Sequence, residues 1–327
     1  MSFLHVDDLR VHFMTDRGAV RAVNGMHFTL ERGETLGIVG ESGSGKSVTA
    51  MAIMGLLPMP PAVIPSGRIL YEGHDLLTHA AAKRRSIRGN RVSMIFQDPM
   101  TSLNPFLRVS RQLTEVLEVH KGLSRKEALR RVITMLERVG IPSAAQRVHS
   151  YPHEFSGGMR QRVMIAMSLL CEPDLLIADE PTTALDVTIQ AQILELLNEL
   201  KRERGMATIL ITHDLGVVAG ATDNVVVMYG GQRMEHSSTA NVFRSPCHPY
   251  TQGLLKSVPR LGRTGERDKL YCIPGLPPVL TSSAKGCPFA ERCDRVQAVC
   301  SEEMPSDTSQ QPGHEVYCHV HATEAAS

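Results

Sequence analysis

The sequence predicts an α/β protein built on a mixed β-sheet, and three patterns support this fold class. Apolar and polar side chains alternate through the first forty residues, as in Leu9–Phe13, which is typical of antiparallel strands. Apolar runs at 174–179 and 207–212 are typical of buried strands, and a helical pattern over Ile189–Arg204 separates them. Because buried strands that alternate with helices form parallel sheets, the second half of the chain is predicted to add parallel strands.

Further elements follow the same reasoning. Val92–Phe96 and Val225–Tyr229 are predicted strands, and residues from about 110 to 140 have helical spacing. We expect the basic residues of that helical stretch on a solvated face: Lys121, Arg125, Lys126, Arg130 and Arg131. After about residue 236, prolines, glycines and cysteines accumulate and the periodicity fades. The predicted organisation is a main domain over residues 1–235, with a helical subdomain at about 100–160, and a Cys-rich C-terminal extension over 236–327.

Composition limits the function classes. The chain has 327 residues, 35 basic and 34 acidic side chains and no Trp, so neither its charge nor its aromatic content favours nucleic-acid binding. Residues 1–8 lack the basic and apolar regions of a secretory signal. The apolar stretch Val48–Pro65 contains four prolines, which argues against a membrane span. We therefore expect a soluble chain whose membrane role, if it has one, comes through partners.

The most informative motif is G-x-x-x-x-G-K-S at Gly40–Ser47, the phosphate-binding loop of nucleoside triphosphatases. Its glycines allow the backbone to approach a polyphosphate, and its amides form an anion site at a helix start. Lys46 supplies a charge for the phosphates, and Ser47 offers a hydroxyl to Mg²⁺. The motif lies between a predicted strand, Thr35–Val39, and a predicted helix, Val48–Leu57, that Pro58 ends. This context favours phosphate binding over an ordinary Gly-rich turn.

Two carboxylates follow a second predicted strand. Asp179 and Glu180 come directly after Leu175–Ala178, at the carboxyl end where α/β sheets bind ligands. Asp179 is suited to hold Mg²⁺, and Glu180 is suited to orient and deprotonate an attacking water. An ordinary charged turn after a strand would have the same residues, so this pair alone is ambiguous.

Three further features are weak individually. Ser156-Gly157-Gly158 precedes a helical run and forms either a second anion-binding helix start or a simple helix cap. His213 follows the strand 207–212, and Gln97 follows the strand ending at Phe96. A lone histidine at a strand end is more often structural than functional.

Together, however, these motifs resemble the ATP-binding subunit of ABC transporters over residues of about 4 to 235. The order is the phosphate loop, Gln97, Ser156-Gly157-Gly158, Asp179-Glu180, Ala184-Leu185-Asp186 and His213. The resemblance implies that two such subunits enclose two ATP molecules. It implies one set of nucleotide ligands on the first subunit: Phe13 for adenine, and Gly40, Ser42, Gly43, Ser44, Gly45, Lys46, Ser47 and Val48 for the phosphates.

The same resemblance assigns the remaining roles. Ser156 and Gly158 would reach the γ-phosphate bound by the other subunit, Gly157 would also bind the nucleotide, and Asp186 would bridge the two subunits. Glu180 would be the general base and His213 would sense the γ-phosphate. Ser47, Gln97 and Asp179 would contact Mg²⁺, and Gln97 would also contact the attacking water. The chain departs from the usual Leu-Ser-Gly-Gly-Gln signature at Phe155 and Met159. The phosphate-contacting serine and glycines remain, so we expect a working site without the glutamine's hydrogen bonds.

Two other segments narrow the resemblance. Asp98–Pro105 and Ser245–Thr251 are similar to the ATPase subunits of oligopeptide, dipeptide and nickel importers. This group implies a peripheral subunit on the cytoplasmic face of the inner membrane. It also implies partners: a second ATPase subunit that is a relative rather than a copy, two permease subunits and an extracytoplasmic solute-binding protein. The residues after Gln97 would face the permease.

The extension contains four cysteines in the pattern C-x5-C-x6-C-x17-C: Cys287, Cys293, Cys300 and Cys318. Four thiolates suit zinc or an iron–sulfur cluster, although the spacings exceed the C-x2-C pairs usual for structural zinc. The importer resemblance implies a [4Fe–4S] cluster, and zinc or four reduced thiols are the alternatives. Cys171, Cys247 and Cys272 are interpreted as packing or incidental residues.

The resulting hypothesis is an ATPase subunit that powers peptide import by ATP-driven dimer closure. Nickel or another small solute is the alternative cargo. A soluble ABC ATPase that acts on nucleic acid or ribosomes is the rival class, which the single cassette and balanced charge disfavour. A binding module with a dead ATPase is disfavoured by Lys46, Asp179 and Glu180.

Overall fold

The computed structural model describes residues 2–98, 102–181, 187–258, 271–278, 285–309 and 311–321, without the side chains of 187–189. These residues form two compact units. The first comprises Met1–Leu30, Thr35–Leu77 and Thr212–Ser327, and the second comprises Glu31–Glu34 and Thr78–Ile211.

An antiparallel sheet begins the first unit. Its strands are β1 (Leu4–Thr15), β2 (Gly18–Leu30), β4 (Ala62–Val63), β5 (Arg68–Tyr71) and β6 (His74–Asp75). The order is β2-β1-β5-β6, and β4 also pairs with β1. Leu4, Val6, Leu9 and Val11 of β1 have no exposed surface, while residues between them are partly exposed. The alternation in the sequence thus reflects a sheet with one buried face, as predicted.

The first unit also contains strands β3 (Thr35–Val39), β10 (Asn224–Tyr229), β11 (Gln232–Ser238) and β12 (Glu315–Val316), in the order β12-β11-β10-β3. β10 runs parallel to β3 and antiparallel to β11, which makes this sheet mixed. All five residues of β3 are buried, in agreement with the apolar run. Residues of the predicted extension add an edge strand, since Glu235 of β11 pairs with Val316.

Part of the extension shares a core with these strands, and Val316, Cys318 and Val320 form a smaller buried cluster against Cys247. Phe289 lies 5.2 Å from the Tyr229 ring and 5.3 Å from the Tyr250 ring, measured between centroids. All three side chains are buried, and Cys287 and Cys293 pack against the same cluster. The helices of this unit are Lys46–Met54, Leu215–Ala221, Thr239–Arg244, Pro249–Lys256 and Ala298–Glu302, with a 3-10 turn at Ala290–Arg292.

The second unit contains three parallel strands, β7 (Val92–Ile95), β8 (Leu175–Asp179) and β9 (Ala207–Thr212), in the order β9-β8-β7. Every residue of the three strands is buried, as expected for a parallel sheet covered on both faces. The helices here are Ala81–Ile87, Val109–Lys121, Arg125–Arg138, Ala144–Arg147, Gly157–Leu169 and Val187–Arg204, with a 3-10 turn at Pro152–Glu154. The five basic residues predicted to be solvated are all exposed.

Three element boundaries differ from the sequence prediction. The helix after the phosphate loop ends at Met54 rather than Leu57, because Gly55 adopts a left-handed conformation with φ 62° and caps the helix. The predicted helical stretch of 110–140 is two helices, separated at Gly122, which has φ 64°. The strand predicted to end at Phe96 ends at Ile95.

Two chain-wide properties follow from the described residues. All seven cysteines are free thiols, with Cys171, Cys300 and Cys318 buried. Within the described ranges, none of the helices combines the length and the apolar character needed to span a membrane.

Candidate nucleotide-binding site

The phosphate loop adopts a backbone that requires glycine. Gly40, Gly43 and Gly45 have φ values of 153°, 79° and 101°. A Cβ added to Gly40 would lie 2.1 Å from the Met228 carbonyl oxygen, and one on Gly45 would lie 2.3 Å from the Ala22 carbonyl oxygen. Neighbouring backbone therefore encloses the loop so closely that side chains do not fit at these two positions.

Lys46 points back into this loop. Its Nζ atom donates hydrogen bonds to the carbonyl oxygens of Gly40, at 2.7 Å, and of Glu41, at 2.9 Å, and the residue is only 6% exposed. Lys46 also begins the helix, and Ser47 follows it, partly exposed. The loop thus directs a buried ammonium group and a helix N-terminus to one place, an arrangement that attracts polyanions.

The other predicted ligands of the first unit lie on its strands and loops. Phe13 is half-buried on β1, where it pairs with Val20 of β2 and Ala62 of β4. Val48 lies in the first turn of the phosphate-loop helix. His213 is exposed and directly follows β9, before Asp214, whose side chain caps the helix Leu215–Ala221.

The second unit brings Gln97 and Glu180 together. Gln97 Nε2 donates a hydrogen bond to Glu180 Oε2 at 3.0 Å. The strand register explains the contact, because Ile95 pairs with Ala178 in neighbouring parallel strands and each functional residue lies two positions later. Asp179, the last residue of β8, is 4% exposed and pairs with Ile211 of β9. Carboxylate and amide groups therefore meet at the carboxyl edge of this sheet, where α/β proteins bind ligands.

Glu180 has an unusual backbone. Its φ is 48°, in the left-handed region, and its N–H donates to the Ile211 carbonyl oxygen at 2.9 Å. A non-glycine residue in this region costs about 1–2 kcal/mol, and such residues cluster at functional sites. This backbone conformation sets the direction in which the Glu180 side chain leaves the sheet.

The Ser156-Gly157-Gly158 segment forms a helix start. Ser156 Oγ accepts the Met159 N–H at 3.3 Å, and Gly157 is the first residue of the helix. Ser156 and Gly157 are exposed, whereas Phe155, at the outer signature position, is 3% exposed and packs inward. The predicted helix cap is thus present, with its polar groups at the surface.

A glutamine two residues after the divergent Met159 was missed by sequence reasoning. Gln161 is fully buried, and its Nε2 donates a hydrogen bond to the carbonyl oxygen of Pro181, directly after Glu180. The signature helix and the acidic pair are therefore tied together within this unit. A polar residue inside an apolar helical run was the available signal.

Some predicted residues lie outside the described part of the chain. These are Ala184-Leu185-Asp186, including the residue expected to bridge two subunits, and Pro99–Thr101 of the segment expected to face a permease.

The four predicted cluster ligands converge in the extension. The Cys287 N–H donates to the Cys300 carbonyl oxygen at 2.7 Å. Burial raises the pKa of three of these thiols, and backbone N–H groups beside their sulfurs lower it in part: that of Phe289 at Cys287, that of Arg295 at Cys293, and those of His321 and Val320 at Cys318. Burial raises the pKa of the Cys287 thiol to about 12, although the Phe289 N–H opposes this shift, and the neighbouring cysteines raise the pKa further.

Two other groups of potential metal ligands were not anticipated. Within the described part of the chain, these are His5, Asp7 and His27 of the antiparallel sheet, and Glu235 of β11 with Cys247 and His314 of the extension; each group brings three ligand atoms within 4.8 Å of one another. Glu235 has no exposed surface, and its carboxylate accepts the N–H groups of Cys247 and His248, both at 2.9 Å, and contacts His314 Nε2 at 2.7 Å. Glu235 is therefore the buried centre of a hydrogen-bonded network with Cys247, His248 and His314, and this network has a structural role.

Comparisons with known proteins agree with this geometry. The family described as ABC transporter matches residues 23–183, and the one described as Oligopeptide/dipeptide transporter, C-terminal region, matches residues 234–300. A solved dimeric ATP-binding cassette in a post-hydrolysis state, bound to ADP and Pi, is similar with a TM-score of 0.66 and 23% identity over 72% of this chain and 98% of that chain. Fold and phosphate loop thus define the class, an ABC-type ATPase.

Two relatives specify the group. The chain is 56% identical to the oligopeptide transport ATP-binding protein OppD of Salmonella typhimurium, over 92% of this chain and 89% of that relative. It is 54% identical to the dipeptide transport ATP-binding protein DppD of Bacillus subtilis, over 96% of this chain and 93% of that relative. The chain belongs to the family of ATP-binding subunits of oligopeptide and dipeptide ABC transporters.

Proposed function

We propose that this chain hydrolyses ATP to power the import of peptides through a membrane permease. The observation that carries the proposal is the glycine-enclosed phosphate loop with the Lys46 ammonium at its centre. The relatives named as oligopeptide and dipeptide transport proteins support peptides as the cargo. A basic excess or a second cassette, which would favour action on nucleic acid, is absent from the sequence.

The residues of each unit have defined tasks in this proposal. Lys46 and the loop amides bind the phosphates, and Phe13 stacks on the adenine. Glu180 accepts a proton from the attacking water, and its hydrogen bond with Gln97 holds the carboxylate in one orientation. His213 contacts the γ-phosphate. The left-handed backbone of Glu180 supports an assignment as a positioned base, because such strain recurs at catalytic residues.

Magnesium fits the available donors. Ser47, Gln97 and Asp179 offer hydroxyl, amide and carboxylate oxygens, which are the ligands that Mg²⁺ prefers. Bound Mg²⁺ would offset phosphate charge during phosphoryl transfer. Asp179 is 4% exposed at the carboxyl end of β8, which supports its assignment to this ligand-binding edge of the sheet.

A second ATPase subunit, a relative of this chain, completes each ATP site. Ser156, Gly157 and Gly158 contact the γ-phosphate bound by that partner, and Asp186 bridges the two chains. The exposure of Ser156 and Gly157 supports a role at an interface. Two permease subunits and an extracytoplasmic solute-binding protein are the other partners, so the chain works as a peripheral subunit at the cytoplasmic face of the inner membrane. The domain division is residues 1–235 for ATP and 236–327 for the extension.

The cysteines of the extension hold a [4Fe–4S] cluster in this proposal. Burial raises the pKa of the Cys287, Cys293 and Cys318 thiols, and neighbouring cysteines raise the pKa of each further, so their joint ionisation needs a cationic centre. A tetrahedral zinc site would bring its sulfurs to about 3.8 Å from one another, since Zn–S bonds are about 2.3 Å. No three of these four sulfurs form a group within 4.8 Å, which is a wider spacing than a tetrahedral zinc site requires.

The Glu180→Gln variant tests the catalytic assignment. Without a base, hydrolysis of MgATP should slow by about 10²–10⁴-fold, while MgATP affinity is retained and the ATP-bound dimer accumulates. Hydrolysis is measured by phosphate release and dimer formation by light scattering. Glu172→Gln, at an exposed carboxylate paired with Arg204, is the matched control and should retain wild-type turnover. Wild-type turnover in Glu180→Gln would refute the assignment.

Anaerobic purification tests the cluster. The protein should be brown, with visible charge-transfer absorbance and about four irons per chain. A colourless preparation without iron would exclude the cluster, and zinc found in its place would identify the alternative.

A further inference from the structure

The C-terminal extension contacts the phosphate loop at Glu41, through Arg292 and Tyr250. Arg292 Nη1 lies 2.7 Å from Glu41 Oε2, and Nη2 lies 3.2 Å from Glu41 Oε1. Glu41 is the second residue of the phosphate loop, and Arg292 directly precedes Cys293. The Arg292 side chain is only 7% exposed. This is a partly buried, two-pronged ion pair between residues 251 positions apart in the sequence.

The remaining donors of Arg292 are also bound. Nη1 donates to Tyr229 Oη at 2.9 Å, Nη2 to the Ile273 carbonyl oxygen at 3.1 Å, and Nε to the Pro274 carbonyl oxygen at 2.8 Å. The guanidinium carbon lies 5.6 Å from the centre of the Tyr229 ring. Because a planar guanidinium held at five acceptors cannot rotate, Arg292 fixes the position of the Glu41 carboxylate.

Glu41 is held by its backbone as well. Its N–H donates to Tyr250 Oη at 2.9 Å, and Tyr250 is fully buried in the aromatic cluster with Tyr229 and Phe289. The Glu41 carbonyl oxygen accepts a hydrogen bond from Lys46 Nζ at 2.9 Å. A continuous set of contacts therefore runs from Arg292 through Glu41 to the lysine that the proposed function assigns to phosphate.

We propose that the extension holds the phosphate loop in its ATP-binding conformation before ATP binds. Arg292 is the positioning residue, and it acts through Glu41. The inference deepens the proposed function and depends on it. A loop with three glycines at positive φ is flexible in isolation, so anchoring Glu41 reduces the conformational entropy lost when nucleotide binds. Arg292 also neutralises a carboxylate that would otherwise repel the phosphates of ATP.

Arg292→Met tests this role. In the intact transporter, the variant should raise the KM for MgATP at least tenfold and leave kcat within twofold, because Arg292 does not touch the reacting atoms. Arg292→Lys, which keeps the charge but loses the two-pronged geometry, should raise KM by about threefold. Iron content and circular dichroism are measured in parallel, so that loss of the neighbouring cysteine site is detected.

A double-mutant cycle separates positioning from simple docking of the extension. Glu41→Gln breaks the ion pair but also removes the carboxylate that would repel phosphate, so it should raise KM by less than Arg292→Met does. If Arg292 acts through Glu41, the double variant should return close to the KM of Glu41→Gln. If Arg292 only anchors the extension, its effect will persist at full size in the double variant, and the inference is wrong.

Arg295→Lys is the matched control. Arg295 lies on the other side of Cys293, and its Nη2 donates to Gln252 at 2.6 Å. It should leave KM unchanged. If Arg292→Met fails to fold, Arg292→Lys and Tyr250→Phe, which removes the acceptor of the Glu41 N–H, replace it: a raised KM in both supports the inference, and a wild-type KM in both overturns it. A wild-type KM in folded Arg292→Met overturns the inference, whereas a wild-type transporter without MgATP hydrolysis overturns the proposed function itself.

Discussion

Gly45 shows how a single backbone position controls the phosphate loop. It has φ 101°, and a Cβ there would lie 2.3 Å from the backbone oxygen of Ala22, which cannot move aside. Gly45→Ala should therefore lower the free energy of unfolding by about 3 kcal/mol, the sum of left-handed strain and overpacking. MgATP affinity should fall as well. Denaturant unfolding and nucleotide titration measure the two effects.

Gly43→Ala is the control for this change. Gly43 has φ 79°, but a Cβ there would meet no atom within 4 Å. It should cost only the conformational strain, about 1–2 kcal/mol. Equal destabilisation by the two variants would mean that the close approach of the Ala22 carbonyl oxygen to Gly45 adds nothing to the cost of a side chain there.

At Gly157, a substitution is expected to raise stability and to lower activity. A Cβ there would meet nothing within 4 Å, and Gly157 is the exposed first residue of a helix. Gly157→Ala should raise the free energy of unfolding of the chain by about 0.5 kcal/mol. It should nevertheless reduce ATP hydrolysis of the assembled transporter at least tenfold, because the added methyl would face the partner's ATP. Unchanged hydrolysis would contradict the proposed interface role.

The residue scale also shows what the sequence can and cannot predict. The motif predicted a glycine-dependent loop, and the φ values of Gly40, Gly43 and Gly45 confirm it. The left-handed backbone of Glu180 and the buried bond of Gln161 were not predictable, because both depend on neighbours outside their own segment.

At the scale of elements, the segment 245–251 folds around a buried carboxylate. Glu235 accepts the N–H groups of Cys247 and His248, and His248 Nδ1 in turn accepts the Tyr250 N–H at 3.0 Å as the cap of a helix. In the sequence, this segment indicates only a resemblance to the importer ATPases. Its structural role depends on Glu235, which looks like an ordinary surface acid in the sequence.

The same segment predicts acid sensitivity. Burial lowers the pKa of His248 to about 4, Glu235 opposes this shift, and Arg295 and His321 add to it. The unfolded chain binds a proton near pH 6.5 that the folded chain does not bind, so the free energy of unfolding falls as pH decreases from 6.5 to 4. The contribution is about 3 kcal/mol at pH 4. Thermal unfolding between pH 4.5 and 7 measures the slope.

His248→Asn isolates this contribution. Asparagine also caps helices but does not titrate, so the variant should show a shallower pH dependence than the wild type. The quantity to compare is the difference in slope between the two proteins, because all other ionisable groups are common to both. Identical slopes would show that His248 does not remain neutral in the folded chain.

Element types were largely predictable, and element ends were not. Strand β3, the parallel strands β7 to β9 and the helical stretch followed from apolar patterns. The phosphate-loop helix ends at Gly55 rather than before Pro58, because a left-handed glycine satisfies the terminal carbonyls three residues earlier. Gly55 and Pro58 are both residues at which helices commonly end, and only the backbone geometry shows that this helix ends at Gly55.

At the scale of the whole molecule, we propose that the extension and the phosphate loop act together, because the extension positions the loop for ATP. The sequence predicted both parts but not their contact, because an ion pair between Glu41 and Arg292 has no local signature. The approach arises from packing of Phe289 against Tyr229 and Tyr250, which brings the Cys-rich segment onto the strand beside the loop.

The most direct test of the account is magnesium-dependent ATP binding and hydrolysis by this chain with its natural companion subunits. Wild-type protein should bind ATP only weakly without Mg²⁺, bind and hydrolyse MgATP, and hydrolyse it faster with a peptide-loaded binding protein present. Lys46→Ala should abolish both binding and hydrolysis. Absence of magnesium-dependent nucleotide affinity in the wild-type assembly, or equal affinity in Lys46→Ala, would contradict the central claim.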